Sequence, residues 1–388
     1  MTPAARLSAA IAVLDRALTG VPVEQALTNW GRANRYAGSG DRNAVRDLVY
    51  DAVRCRRSFA ALGGALTGRG LILGLVRAAG QGDEVLFTGE GHAPAVISAA
   101  EMAIEPAMTA NVALDCPDWL APELQASLGA DFAAVMQALQ TRAPLFLRVN
   151  LAKSTRENAI ARLSSEGITA VPVALASTAL EVTANPRKVA QSRAYSEGLV
   201  ELQDAASQAV VLGLPVTKAM RILDYCAGGG GKSLALAARL PLDLTAHDVN
   251  PARMADLPAR AARAGARIRV SAEKDLEGAA PFDMVLVDAP CSGSGAWRRS
   301  PEGKWTLSPD RLADLVATQA SILDRTKAFV AQNGAIAYVT CSLLNCENGD
   351  QVANFRAQNQ QFALESQRRF TPLDGGDGFY CAILRRVD

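Results

Sequence analysis

The sequence predicts an α/β protein: a sheet domain in its C-terminal half, preceded by a small α+β unit and an all-helical N-terminal region. Three observations carry this expectation. From Arg221 onward, short apolar runs alternate with helical or loop sequence, the pattern of a parallel sheet covered on both faces. From Pro144 to Val182, strand-like runs flank a single helical stretch. Before about residue 110 the apolar residues recur every three to four positions. A chain of 388 residues is long enough for two to three domains of about 150 residues each. The expected divisions are 1–112, 113–200 and 201–388.

In the first region Leu7, Ile11, Leu14 and Leu18 share one helix face, as do Val45, Leu48, Val49 and Val53, with a loop expected over Asn34 to Gly40. In the second, Leu145 to Val149 reads as a strand, Thr155 to Ser165 as a helix, and Ile168 to Val173 and Leu180 to Val182 as further strands. In the third, Ile222 to Tyr225, Leu244 to Asp248, Ile268 to Val270, Met284 to Asp288 and Ala335 to Thr340 read as the parallel strands. Gln361 to Leu364 and Phe379 to Leu384 read as a closing pair. Ligands of open α/β sheets bind outside the carboxyl ends of the strands, which here carry acids and cysteines.

Composition narrows the class. Hydrophobic residues make up 49% and charged residues 20%, which excludes wholesale disorder. The longest stretch without a charge, Ala328 to Cys346, is broken by Gln332, Asn333 and Gly334, so no membrane span is expected. Met1 to Arg16 lacks the continuous apolar run of a signal peptide, and a cytoplasmic protein is expected. Seven scattered cysteines argue for reduced thiols rather than a disulfide framework. Net charge is only +1, but Trp30 to Arg57 holds seven Arg against three Asp, a local basic surface that includes Arg32, Arg35 and Arg42. High-GC codon usage explains an Arg excess equally well.

The loop after the first parallel strand reads Asp224-Tyr225-Cys226-Ala227-Gly228-Gly229-Gly230-Gly231-Lys232-Ser233. Gly231-Lys232-Ser233 matches the end of a phosphate-binding P-loop, but Cys226 stands where its first glycine belongs. A dinucleotide fingerprint from Gly228 and Gly230 requires glycine or alanine at Ser233. The third reading is a nucleoside cofactor without a terminal phosphate. Glycines admit an amino-acid tail close to the backbone, and Asp248, ending the next strand, accepts from ribose hydroxyls. S-adenosylmethionine fits that arrangement. Asp224 and Asp248 could equally cap the helices that follow.

Asp288-Ala289-Pro290-Cys291 closes one strand and Thr340-Cys341-Ser342 the next. Neighbouring strands lie about 4.8 Å apart, so Cys291 and Cys341 would face one cavity, with Asp288 between them and the Lys232 loop. A lone cysteine is usually a small buried hydrophobe. Two at a ligand-binding edge, beside a carboxylate and a lysine, read as chemistry.

The segment Asp288 to Gly295, with Arg298-Arg299-Ser300-Pro301 and Lys304-Trp305, Thr340-Cys341-Ser342 and Gln203-Asp204-Ala205-Ala206-Ser207-Gln208, resembles the RsmB/Nop2/Sun-type RNA 5-methylcytosine methyltransferases. The Cys226 to Ser233 loop is similar too, except that Gly228-Gly229 stands where the family usually has Ala-Pro. The resemblance implies a Rossmann-like methyltransferase sheet from about residue 201, an RRM-like subdomain before it, and a NusB-like RNA-binding domain of the kind found in bacterial 16S rRNA members. It implies S-adenosylmethionine held by Cys226, Ala227, Gly228, Gly229, Gly230, Gly231 and Lys232, with Asp248, Arg253, Asp275 and Asp288 completing the contacts. It assigns attack on cytosine carbon 6 to Cys341 and release to Cys291, with Asp288 and Lys232 near the base.

The chemistry accounts for two thiols. Carbon 5 of cytosine is too weak a nucleophile until a thiolate adds at carbon 6, and the product is freed only when the carbon 5 proton leaves. Arg298, Arg299 and Lys304 are expected on RNA phosphate, as are Arg32, Arg35 and Arg42. Trp297 and Trp305 are either base-stacking or core residues. His92 and His247 are isolated, and no metal site is expected. The expected partner is RNA, ribosomal before transfer RNA, with the protein acting as a monomer and without a membrane. The competing readings are a noncatalytic RNA-binding factor on a methyltransferase fold and a nicotinamide oxidoreductase; the second requires both cysteines to be ignored.

Overall fold

The computed structural model describes Met1–Val387, which divide into two compact units. The first comprises Met1–Arg142 together with Trp297–Thr306, and the second comprises the rest.

The first unit is helical, with α1 at Pro3–Leu18, α2 at Val23–Ala33, α3 at Ser39–Arg54, α4 at Arg56–Gly63 and α5 at Gly68–Ala78. Helix α1 starts where Thr2 accepts from Ala5 N and Pro3 occupies the first turn, a position that needs no N–H donor. The periodic residues read from the sequence do form its core: Leu7 and Leu14 of α1 pack with Val45, Val49 and Val53 of α3 and with Leu71 and Ile72 of α5.

The unit is completed from far along the chain. Arg54 Nε donates to Arg298 O at 2.9 Å, Lys304 Nζ to Arg54 O at 3.1 Å, and Trp305 Nε1 to Val53 O at 2.6 Å. The compact helical unit runs past the expected boundary at residue 112 as far as Arg142, and it takes in a ten-residue strap from the C-terminal half. Sequence reading assigns such a strap to its neighbours in the chain, because its partners lie some 250 positions away.

The second unit holds two sheets. Strands β1 (Leu145–Val149), β2 (Thr169–Pro172), β3 (Ala179–Ala184) and β4 (Val200–Leu202) form an antiparallel sheet in the order β2-β3-β1-β4. Helix Arg156–Ser165 starts at its N-cap Thr155. The short edge strand β4 was not among the predicted elements.

Strands β5 (Arg221–Asp224), β6 (Asp243–Ala246), β7 (Arg269–Val270), β8 (Phe282–Asp288), β9 (Val330–Thr340), β10 (Phe362–Phe370) and β11 (Phe379–Arg386) form a second sheet ordered β10-β11-β9-β8-β5-β6-β7. Its β5 to β9 neighbours are parallel, while β11 runs antiparallel to both β9 and β10. The sheet is thus mixed, with the closing pair forming one antiparallel edge.

Alternate side chains serve opposite faces, as strand geometry requires. Met284 and Leu286 pack with Phe146 of β1 and with Val210 of helix Ala205–Gly213. Val285 and Val287 pack against Leu323 of helix Pro309–Thr326 and against Val352 and Phe355 of helix Gly349–Gln358. Both faces are covered, one of them partly by the small subdomain, so the expected division at residue 200 separates parts that share a core.

Among the described residues no single helix is long and apolar enough to cross a membrane, and no cluster of potential metal ligands occurs.

Candidate active site

Strand β5 ends in Asp224, and the glycine loop turns from it into helix Gly231–Arg239. Gly230 has φ +76°, a left-handed conformation that favours glycine, and a Cβ there would lie 2.2 Å from Leu257 Cδ1 and push that side chain aside. The loop is braced from beneath: Arg148 of β1, buried, donates to Gly231 O at 2.8 Å and to Gln203 Oε1 at 2.5 Å. Burial pulls the Arg148 guanidinium down to about 10.

Asp224 is fully buried and accepts from Ser233 Oγ at 2.6 Å, while its other oxygen has no partner. Burial pushes its carboxyl up to about 7.

Asp248 follows β6 and is 2% exposed. It accepts from Gly228 N at 2.9 Å and Asn250 N at 3.0 Å, and Arg253 pairs with it at 3.2 Å. The expected cofactor residues Cys226 to Lys232, Asp248 and Arg253 thus come together at the carboxyl ends of β5 and β6. Asp275 does not join them: it is exposed in the first turn of helix Glu273–Ala279. Its neighbour Glu273 is the residue turned inward, accepting from Tyr225 Oη at 3.0 Å and Arg325 Nε at 2.9 Å.

Lys232 is buried, and its Nζ donates to Asp288 Oδ2 at 2.5 Å, joining the ends of β5 and β8. Burial opposes the lysine charge, but Asp288 outweighs it and the ammonium is held above its ordinary range. The Lys232 ammonium is thus paired with a carboxylate of its own chain.

Strands β8 and β9 are parallel neighbours, which brings Cys291 Sγ to 3.4 Å from Cys341 Sγ. The hydrogen bond from Cys341, then burial, raise the Cys291 thiol well above its usual range. The two loops are held together by backbone as well. Gly295 N donates to Cys341 O at 2.9 Å, and a Cβ on Gly295 would lie 2.1 Å from Gly378 O, so this close approach also requires glycine.

Arg298 and Lys304, expected on RNA phosphate, are 6% and 1% exposed inside the helical unit. Burial lowers the Lys304 ammonium to about 8, and its Nζ is spent on Arg54 O. Trp297 is core at 1% exposure, and Trp305 is held by Val53 O and lies under Arg56 and Lys304. Arg299 is half-buried. Arg32, Arg35 and Arg42 do share a surface: with Trp30 and Arg46 they line an exposed cleft of about 480 Å³ between α2 and α3.

Sequence reasoning missed Glu347. It is fully buried and accepts from Ser292 N, Ser292 Oγ, Ser342 Oγ and Gln319 Nε2. One signal was available: Glu347 is the first charge after the longest uncharged stretch of the chain.

The donor set suits S-adenosylmethionine. Its sulfonium and ammonium are cationic, and three carboxylates, Asp224, Asp248 and Asp288, ring the glycine loop, one with a buried oxygen still unpartnered. A Rossmann-like sheet with such a loop at its strand ends defines the class as a cofactor-dependent methyltransferase.

Comparison with known proteins places it further. The description "16S rRNA methyltransferase RsmB/F" matches residues 211–385, and its ferredoxin-like domain matches residues 116–189. Proteins called ribosomal RNA small subunit methyltransferase B from two Xylella fastidiosa strains are each 34% identical, over 69% of this chain. The alignments span 66% and 68% of their lengths, about two thirds of each relative. The one from Pectobacterium carotovorum is 32% identical over a similar share. The solved structure of PH0851 covers 100% of this chain and 99% of its own at a TM-score of 0.77 and 21% identity. A methyltransferase homologue from Pyrococcus horikoshii covers 72% of this chain and 98% of its own at 0.61 and 22%. These two show the fold alone. The chain belongs to the RsmB/F family of S-adenosylmethionine-dependent RNA methyltransferases.

Proposed function

We propose that this protein methylates carbon 5 of a cytosine in 16S ribosomal RNA, with Cys341 as nucleophile and Cys291 assisting release. The observation that carries this reading is the pair of sulfurs 3.4 Å apart beside the Lys232–Asp288 pair.

Cys341 loses its proton and forms a bond to carbon 6; the ring electrons move to carbon 5, and N3 takes up a proton. The Lys232 ammonium lies in electrostatic reach of the Cys341 sulfur. The partner thiol, Cys291, is raised and keeps its proton at rest, so the two sulfurs have different tasks. Asp288, oriented by Lys232, holds the proton at N3. S-adenosylmethionine, when bound in the Cys226–Lys232 loop with its ribose on Asp248, supplies the electrophilic methyl group. For release, Cys291 first gives up its own proton to solvent; it, or a water on it, then accepts the carbon 5 proton, the bond between Cys341 and carbon 6 breaks as the ring double bond re-forms, and N3 loses the proton it had taken up.

The test is a denaturing gel with labelled RNA. Cys341→Ala should give neither methylation nor adduct. Cys291→Ala should accumulate a denaturation-resistant protein–RNA species that the double variant loses. Adducts in Cys341→Ala but not in Cys291→Ala would reverse the assignment.

The cleft lined by Arg32, Arg35 and Arg42 binds RNA phosphate in this reading, with Arg299 a further contact. In this reading the protein works in the cytoplasm, where ribosomal RNA is processed. Bisulfite sequencing of cells with and without the gene identifies the cytosine; a change confined to transfer RNA would keep the chemistry and replace the substrate.

A further inference from the structure

Cys291 and Cys341 sit on separate loops, and nothing covalent sets the distance between them. We propose that Glu347 is the positioning residue that holds the two thiol-bearing loops in register, by accepting hydrogen bonds from Ser292 and Ser342, the residues directly after the two cysteines. The proposal rests on the two-thiol reading of the site.

The geometry is specific. Glu347 Oε1 accepts from Ser292 N at 2.8 Å and Gln319 Nε2 at 2.9 Å. Glu347 Oε2 accepts from Ser292 Oγ at 2.5 Å and Ser342 Oγ at 2.5 Å. Gln319 also donates to Pro290 O at 2.9 Å, so the residues on both sides of Cys291 are tied to one centre.

A carboxylate is the only side chain that accepts four such bonds without offering a donor of its own. Its described partners are all neutral, so no cation offsets the cost of burying it. Buried charge is expensive, and four hydrogen bonds from neutral donors concentrate its benefit on the loops that supply them. Glu347 is itself fixed, because Tyr338 Oη donates to Glu347 O at 2.7 Å, and the adjoining Asn348 accepts from Thr340 Oγ1 and donates to Ser342 O. Glu347 touches neither sulfur, so its influence on the reaction passes through the loops. A displacement of about 1 Å at reacting groups costs on the order of a hundredfold in rate.

The test reads the sulfur separation without RNA. Diamide oxidises two adjacent thiols to a disulfide, and the Cys291–Cys341 bridge is followed by peptide mass spectrometry on the full-length protein. The wild-type bridge should form fastest, Glu347→Gln more slowly, and Glu347→Ala roughly tenfold to a hundredfold more slowly. On RNA, kcat should fall in the same order while the KM for RNA and the Kd for S-adenosylmethionine stay near wild type. Wild-type bridge formation in folded Glu347→Ala overturns the proposal, as does a loss of cofactor affinity in step with kcat, which marks a general collapse of the site. If Glu347→Ala does not fold, the Ser292→Ala/Ser342→Ala double variant decides: slowed bridging supports the proposal and unchanged bridging overturns it. An RNA that is never methylated by the wild type defeats the substrate reading and leaves the bridging result standing.

Discussion

Asp248 shows how one carboxylate serves two ends. It receives Gly228 N and Asn250 N, so it shapes the loop, and in the proposed function it also accepts from a ribose. Charge-assisted hydrogen bonds contribute about 1.5–3 kcal/mol, so Asp248→Ala should weaken S-adenosylmethionine binding by roughly tenfold to a hundredfold in calorimetry. Asp248→Asn, which still accepts, should lose less; wild-type affinity in both would leave Asp248 as a turn-former only. Asp224 carries a pH signature. Its carboxyl is raised by burial from the ordinary 3.8 to about 7, so the folded state binds the proton more tightly than the unfolded state. The resulting stability is fully present below pH 3.8 and is lost as pH rises to about 7, after which it is constant. Asp224→Asn removes this dependence. Between pH 4 and pH 8 its stability should therefore improve relative to wild type, by on the order of 4 kcal/mol in denaturant titrations. A constant difference across that range would contradict the assignment.

At the scale of elements, α2, α3 and the turn between them place Arg32, Arg35 and Arg42 around one cleft. Arg42 is partly committed, donating to Ala37 O at 2.9 Å, and Arg46 is paired with Glu24 at 2.6 Å. Arg32 and Arg35 are exposed and have no described partner, so they are the best placed to take phosphate. Replacing both with Ala should weaken RNA binding at low salt and flatten the slope of log affinity against log salt by about 1.4 to 2 units. Cofactor affinity should stay unchanged, since both residues lie outside the unit that carries the glycine loop. An unchanged salt slope would remove the cleft from RNA binding.

At the scale of the molecule, the helical unit is built from two distant stretches of chain. Cutting the chain before residue 143 removes Arg54, the partner of Lys304, and the rest of the unit in which Trp297 and Lys304 are buried. A chain starting there should aggregate, or melt several degrees lower in calorimetry, because a buried Trp and a buried ammonium are laid open. Adding residues 1–142 as a separate chain should restore the melting temperature through Trp297–Thr306. Absence of association between the fragments would show that the strap contributes little to that unit.

Much of this protein was legible in its sequence. The 3.6-residue spacing of Leu7, Ile11, Leu14 and Leu18 and the apolar runs ending at Asp224, Asp248 and Asp288 are local patterns, and local backbone geometry follows them. The glycine loop and the two cysteines were legible for the same reason, since a strand end, a turn and a helix start are contiguous. What only tertiary structure decided involves long separations. Reversal of β11, the strap Trp297–Thr306 in the helical unit and the burial of Arg298 and Lys304 depend on partners far along the chain. Glu347 belongs to this second class: by residue type it reads as a surface charge, and only folding brings Ser292, Ser342 and Gln319 to it. Sequence pattern records which face of an element is apolar, while the partner of a buried polar group is chosen when elements meet, because an unpaired buried charge costs too much to remain.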